Sequence, residues 1–83
     1  MTYEIAFTNR AVKELEKLDQ KIKSRIIDNL KANRTDPLTH AIKLTNSKIG
    51  TYRFKIGDYR VVFDLDDKTI VVLRIGHRKS IYK

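Results

Sequence analysis

From residue 51 to residue 77 the chain reads TYRFKIGDYRVVFDLDDKTIVVLRIGH, and this stretch limits the fold more than any other. In TYRFKI and YRVVFDL, apolar side chains largely alternate with polar ones, the period of two that sends successive side chains to opposite faces of a β-strand. Gly57 and Asp58 join these runs by a two-residue link with hairpin chemistry. Asp66, Asp67 and Lys68 then turn the chain into TIVVLRIGH. The pattern predicts a three-stranded antiparallel meander.

Upstream, TYEIAF at residues 2–7 reads as a further strand with Tyr3, Ile5 and Phe7 on one face. Thr8 and Asn9 offer helix-capping side chains. Val12, Leu15, Leu18, Ile22, Ile26 and Leu30 then recur every three or four residues, a helical stripe. Asp19 interrupts the polar phase and is placed to cap a second helix. This gives helices over 9–18 and 20–34 that pair as a hairpin, although one long bent helix satisfies the same periodicity. Pro37 ends the helical run, because proline drives the residue before it out of helical geometry. Residues 36–50, DPLTHAIKLTNSKIG, show no clear period. A structureless segment of that length is uncommon in a compact domain, so it is either functional or holds a turn the pattern does not reveal. His40 lies within it and reads as a surface residue.

These elements predict an α+β chain of β-α-α-β-β-β order, forming one domain over residues 1–83. A four-stranded, mainly antiparallel sheet carries the helical hairpin on one face. The helical stripe is expected to pack on Tyr52, Phe54, Val61, Phe63, Val71, Leu73 and Ile75. A domain of this size buries only about 60% of the surface its unfolded chain exposes, so its stability is modest.

Composition excludes several functions. There is no cysteine, so disulfide frameworks and thiolate metal sites are absent, and two isolated histidines, His40 and His77, do not make a zinc site. No metal or cofactor is expected. No apolar run approaches the roughly 20 residues of a membrane span, and MTYEIAFTNR lacks a signal-peptide pattern. The expected location is the cytoplasm. The informative quantity is charge: 18 Lys and Arg against 10 Asp and Glu, a net charge of +8 and a pI near 9.9. Such a balance favours polyanionic partners. Cations outnumber anions in both halves, so placement matters more than the total.

Parity assigns that placement. Tyr52, Phe54 and Ile56 share one face of the first meander strand, leaving Arg53 and Lys55 on the other. Arg60, Val62 and Asp64 oppose the apolar set of the second strand. If the third strand runs without a bulge, Ile70, Val72, Arg74 and Arg78 face away from the helices. The helix-free face then collects Arg53, Lys55, Arg60, Arg74 and Arg78. The helical cations, Lys13 among them, lie mostly off the apolar stripe and are explained by a solvated helix face. Unit charges about 4 Å apart interact by roughly 4 kcal/mol at an effective dielectric near 20. A cationic sheet face therefore needs either screening by water or a bound anion. Arginine's planar fork matches phosphate with two hydrogen bonds, whereas lysine would serve solubility equally well.

The closing GHRKSIYK adds His77, Arg78, Lys79 and Tyr82 beyond the apolar part of the last strand. There Arg78, His77 and Tyr82 are expected to project over Arg53, Lys55 and Arg60. RNA cleavage without a metal needs a base for the 2′-hydroxyl, cations for the charged phosphorane and a proton source for the departing 5′-oxygen. Histidine titrates nearest to neutrality, and tyrosine stacks on bases. Read singly, a terminal tyrosine packs on a core edge and a histidine is a polar strand end; the constellation is what points to chemistry.

Taken together, YRFKIGDYRVVFDLDDKTIVVLRIGHRKSIY resembles the C-terminal half of the RelE/ParE superfamily of toxins from bacterial and archaeal toxin–antitoxin pairs. AVKELEKLDQKIKSRI and DPLTHAIKLTNSKIGTYRFKIGDYRV match that family's order of elements, so the resemblance covers essentially the whole chain. The GDYRV hairpin and the terminal G-H-R-x-x-x-Y are its most specific parts. The RelE branch implies a ribosome-dependent endoribonuclease that cuts mRNA in the A site without metal. Arg60 then occupies the phosphate-stabilising position and Arg78 the position that stabilises charge and assists the leaving group. Tyr82 matches the tyrosine that positions or activates the nucleophile and stacks on the base. Arg53 and Lys55 fall where that branch commonly has two basic residues. Lys55 is the better proton-transfer candidate, because arginine stays protonated, and the share of His77 is open. Arg53, Lys55, Arg74 and Lys79 are expected to hold RNA phosphates. The resemblance also implies a small antitoxin protein in a hetero-oligomer. The ParE branch shares the fold but poisons DNA gyrase and lacks a nuclease site. A plain RNA-binding module is a third reading, which explains the charge but not the terminal constellation.

Overall fold

The computed structural model describes residues 2–45 and 48–81. Strand β1 (Glu4–Phe7) leads into helices α1 (Asn9–Glu16) and α2 (Gln20–Ala32). A short helix α3 (Pro37–His40) and strand β2 (Ile42–Lys43) precede the meander of β3 (Tyr52–Ile56), β4 (Tyr59–Asp66) and β5 (Thr69–His77). The five strands run β1-β5-β4-β3-β2 across one sheet, antiparallel except where β1 lies parallel to β5.

Local chemistry sets the boundaries. The Thr8 hydroxyl accepts a hydrogen bond from the Ala11 N–H, and the Asp19 carboxylate accepts one from Ile22, so each helix has its own N-cap. A cap of this kind contributes about 1 kcal/mol, and Asp19 therefore divides the helical stripe into two helices rather than one bent one. Gly57 holds φ at +59° in the β3–β4 link, a conformation that suits glycine, and Ile56 faces Tyr59 across it.

The core lies between the helices and one sheet face. Ala11, Ile26 and Leu30 pack against Phe54, Ile56, Val61, Phe63, Ile70, Val72 and Ile75. The Phe63 ring stacks at 4.5 Å on Phe54 and 5.6 Å on Tyr52, measured between centroids.

Three expectations change. The sheet gains a fifth strand, because residues 36–50 contain α3 and the two-residue β2 where no periodicity could register. In α1 the buried residue is Ala11, fully enclosed, whereas Val12 is 38% exposed. The third correction is the largest. The β4–β5 register slips between Val62 and Phe63, so that Val62 faces Arg74 while Phe63 faces Val72, and Leu73 is an extra bulge residue. Ile70 and Val72 therefore join the core with Ile75, and Val71 and Leu73 do not.

The bulge is matched at the edge of β5. β1 stops at Phe7, opposite Val72. Beyond it the Thr8 N–H donates to the Val72 carbonyl and the Thr8 hydroxyl to that of Leu73. Glu14 then accepts the Ile75 N–H at 3.0 Å. The end of β1 and helix α1 thus satisfy backbone groups that would otherwise each cost about 1–3 kcal/mol if buried unpaired.

Candidate nucleic-acid interface

Opposite the helices, two rows of side chains cross the meander. One is Arg53, Val62 and Arg74; the other is Lys55, Arg60 and Gly76. This is the face that parity predicts for Arg53, Lys55 and Arg60, but it is not bare. Val62 is fully buried, and residues 48–51 cross over it: a Cβ built on Gly50 would lie 2.4 Å from Val62 Cγ1 and 3.0 Å from Leu73 Cδ1. At the other end, the turn after β5 folds Ile81 onto Gly76, where an added Cβ would sit 3.5 Å from the Ile81 Cβ.

Between these covers lies Arg60, only 7% exposed. One of its terminal nitrogens, Nη1, donates to the carbonyls of Gly57 at 2.9 Å and Tyr59 at 3.0 Å, pinning the guanidinium to the hairpin end. Its Nε is buried with no hydrogen-bond partner among the described residues, and so is the Nε of half-buried Arg53. Arg53 lies diagonally across the ladder from Arg60. A buried cation without a counter-charge is unfavourable, and no described carboxylate forms an ion pair with either arginine. Two donors therefore remain free on one face, among the described residues. Lys55 is exposed beside Arg60 and also borders a cleft of about 340 Å³ with Asn29, Asn33, His40 and Phe54.

The remaining candidates divide. Arg78 is exposed at the rim of this site. Its N–H donates to the Asp58 carbonyl at 2.8 Å and its Nε lies 3.4 Å from the Asp58 carboxylate, which holds it against the β3–β4 hairpin tip. Arg74 does not stand free on the face. Its Nε lies 3.1 Å from both carboxylate oxygens of Glu14, drawn toward the β5 edge. His77 is a correction: it faces Tyr59 across the ladder, on the side of Ile56 and Val61, and not over Arg60. Its ring meets Tyr59 edge-on at 5.5 Å, and its Nδ1 accepts the Lys79 N–H at 3.1 Å. Lys79 is exposed just beyond, and Tyr82 lies outside the described residues.

Asp58 and Glu14 fix Arg78 and Arg74, and sequence reasoning misses both. The sequence signals Asp58 only as a turn residue, and Glu14 carries no local sign of its reach to β5. Arg25 of α2 likewise has the pattern of a helix-surface residue. Its guanidinium lies against the hairpin tip, 3.3 Å from where a Gly57 Cβ would stand.

A small α+β sheet with an arginine pair buried at one hairpin defines a class, and the comparisons with known proteins identify it. Residues 5–82 match the family model of the ParE toxin of the type II toxin–antitoxin system parDE. The chain is 31% identical to Toxin RelG of Mycobacterium tuberculosis, over 100% of this chain and 99% of that protein. It is 30% identical to Toxin RelE3 of Methanocaldococcus jannaschii, over 94% and 93%. The toxin–antitoxin complex RelBE2 of Mycobacterium tuberculosis contains a chain that superposes with a TM-score of 0.83 at 29% identity, covering 94% of this chain and 100% of that one. The chain belongs to the RelE/ParE superfamily of type II toxin–antitoxin toxins.

Proposed function

We propose that this toxin is a metal-independent endoribonuclease that enters the ribosomal A site in the cytoplasm and cuts mRNA there, halting translation. The observation that carries the reading is the buried Arg60 guanidinium with an unpartnered Nε, beside Arg53 in the same condition. Such a pair is preorganised for an anion, and the anion that arginine's fork fits best among the expected partners is a phosphodiester.

In the proposed reaction the 2′-oxygen attacks the adjacent phosphorus and its proton passes to a base. The P–O5′ bond breaks and the 5′-oxygen takes up a proton, leaving a 2′,3′-cyclic phosphate and a 5′-hydroxyl. Arg60 and Arg53 stabilise the charge on the phosphorane, with Arg78 swinging from Asp58 to assist the leaving group. Lys55, once it has lost its own proton, can accept that of the 2′-hydroxyl, which neither arginine can do. Tyr82 stacks on the base and orients the nucleophile. His77 packs on Tyr59 and takes no proton-transfer role, while Lys79 and Arg74 assist in holding phosphates. The cognate antitoxin is a small protein, acidic in its interaction segment, that covers Arg53, Arg60 and Arg78 or displaces the segment after β5. Complexes such as RelBE2 among the structural relatives support a hetero-oligomer.

The rival is gyrase poisoning, favoured by the ParE description of the matching family model. Purified toxin incubated with translating ribosomes decides between them, with mRNA ends mapped and a supercoiling assay run alongside. Cuts confined to ribosome-occupied codons are expected. Gyrase inhibition with intact mRNA would reject the nuclease.

A further inference from the structure

A second cationic pocket opens at the other end of the Arg53–Val62–Arg74 row. It is a cleft of about 330 Å³ lined by Thr8, Arg10, Lys48, Ile49, Leu73 and Arg74. Adjacent strands are separated by about 4.8 Å, so the Cα atoms of Arg53 and Arg74 stand roughly 10 Å apart on one face. The pocket thus continues the face that carries Arg53 and Arg60, past the bulge and around the β5 edge.

Its charges are incompletely matched. Glu14 engages Arg74 through Nε, and among the described residues no hydrogen bond or ion pair occupies the two Nη nitrogens of Arg74. Arg10 and Lys48 are exposed and have no ion-pair partner among the described residues. Arg10 also stands in the first turn of α1, where no acidic residue occurs. The helix dipole is positive at that end, so a cation there is unfavourable unless an anion approaches. The Thr8 hydroxyl is committed to Leu73 and Ala11 and offers no competing negative group. Three cations, one paired carboxylate and a positive helix end therefore converge on one cleft.

We infer that Arg10, Lys48 and Arg74 form a second phosphate subsite, which holds the backbone of the same RNA strand some nucleotides away from the bond at Arg60. The inference rests on the nuclease reading and extends its substrate from one phosphodiester to a track. RNA phosphate is favoured over an acidic protein segment because the pocket shares its face and its cross-strand row with the arginine pair, within reach of neighbouring phosphates on a single strand.

The test measures binding of a fluorescent single-stranded RNA trimer and nonamer to purified toxin across a salt series. The trimer reports the Arg53–Arg60 site and the additional affinity of the nonamer reports the second subsite. Arg10→Ala/Lys48→Ala is the variant, since both side chains are exposed. Arg74 is left in place, because removing it would strand Glu14. An unchanged thermal melt verifies folding. The double variant should bind the trimer as wild type does. Its nonamer affinity should fall, with the salt slope reduced by about 0.7 for each phosphate that is no longer neutralised. A nonamer affinity and slope equal to wild type would overturn the subsite while leaving the nuclease reading intact. Loss of polyglutamate binding with RNA binding unchanged would also overturn it, assigning the pocket to an acidic protein. Failure of the wild type to bind the trimer would instead refute the nuclease reading on which the subsite rests.

Discussion

The two faces of the sheet solve opposite problems with the same strands. Toward the helices, Phe54, Val61, Phe63, Ile70, Val72 and Ile75 form an uncharged core closed by Ala11, Ile26 and Leu30. On the other face no described helix arrives. Val62 and Ile81 are just as buried there, but each is covered by a passing segment of chain, and the space between holds charged arginine. Apolar burial on the first face stabilises the fold. The second face uses a little of it as a frame for a guanidinium that would otherwise remain in water. The difference teaches that burial does not separate core from site in a domain this small, whereas unsatisfied polarity does.

Four substitutions test that contrast, taken from the largest effect down. Phe63→Ala removes the central ring of the aromatic stack and should cost about 3–5 kcal/mol in chemical denaturation, enough to unfold much of the population. A midpoint left in place would mean that the core face is misassigned. Arg60→Ala should leave the fold standing but slow single-turnover mRNA cleavage on programmed ribosomes by about 10²–10³. Ribosome association, assayed separately, should weaken far less, because charge on the phosphorane develops only in the transition state. Equal losses of binding and cleavage would make this face a docking surface. Gly50→Ala drives a methyl into Val62 and should destabilise by about 1–3 kcal/mol. If it is neutral, residues 48–51 do not frame the cationic face as described. Lys13→Ala, on the solvated side of α1, should alter neither stability nor cleavage measurably, and a cleavage defect there would extend the functional surface onto the helices.

How much of the molecule is legible in its sequence depends on whether a residue's environment is set locally. In β3 and β4 strict alternation puts Tyr52, Phe54, Val61 and Phe63 on one face and Arg53, Lys55 and Arg60 on the other, and the ladder agrees. In β5 the run TIVVL is apolar at every second position in either phase, so alternation carries no information about which set is buried. The bulge at Leu73 then shifts the phase without any glycine or proline to announce it. The helical stripe cannot separate Ala11 from Val12, because a small residue is what lets α1 approach β5 closely enough for Glu14 to reach Ile75. Parity places Arg60 on its face but at an open surface, since its cover by the turn after β5 joins distant parts of the chain. The ties from Glu14 to Arg74 and from Asp58 to Arg78 are likewise tertiary facts.

Strand β5 lies between β1 and β4, yet it is the last of the five to be synthesised. Until residues 69–77 are available, β1 has no neighbour in the sheet and α1 has no strand edge to close. Pairing across such a sequence separation is slow to form, because the loop entropy is lost before the contacts return it. The sheet therefore assembles only after β5 has emerged. For a toxin proposed to act on the machinery that makes it, the order of its strands works as a timer: a nascent chain that still lacks β5 is inert toward its own ribosome.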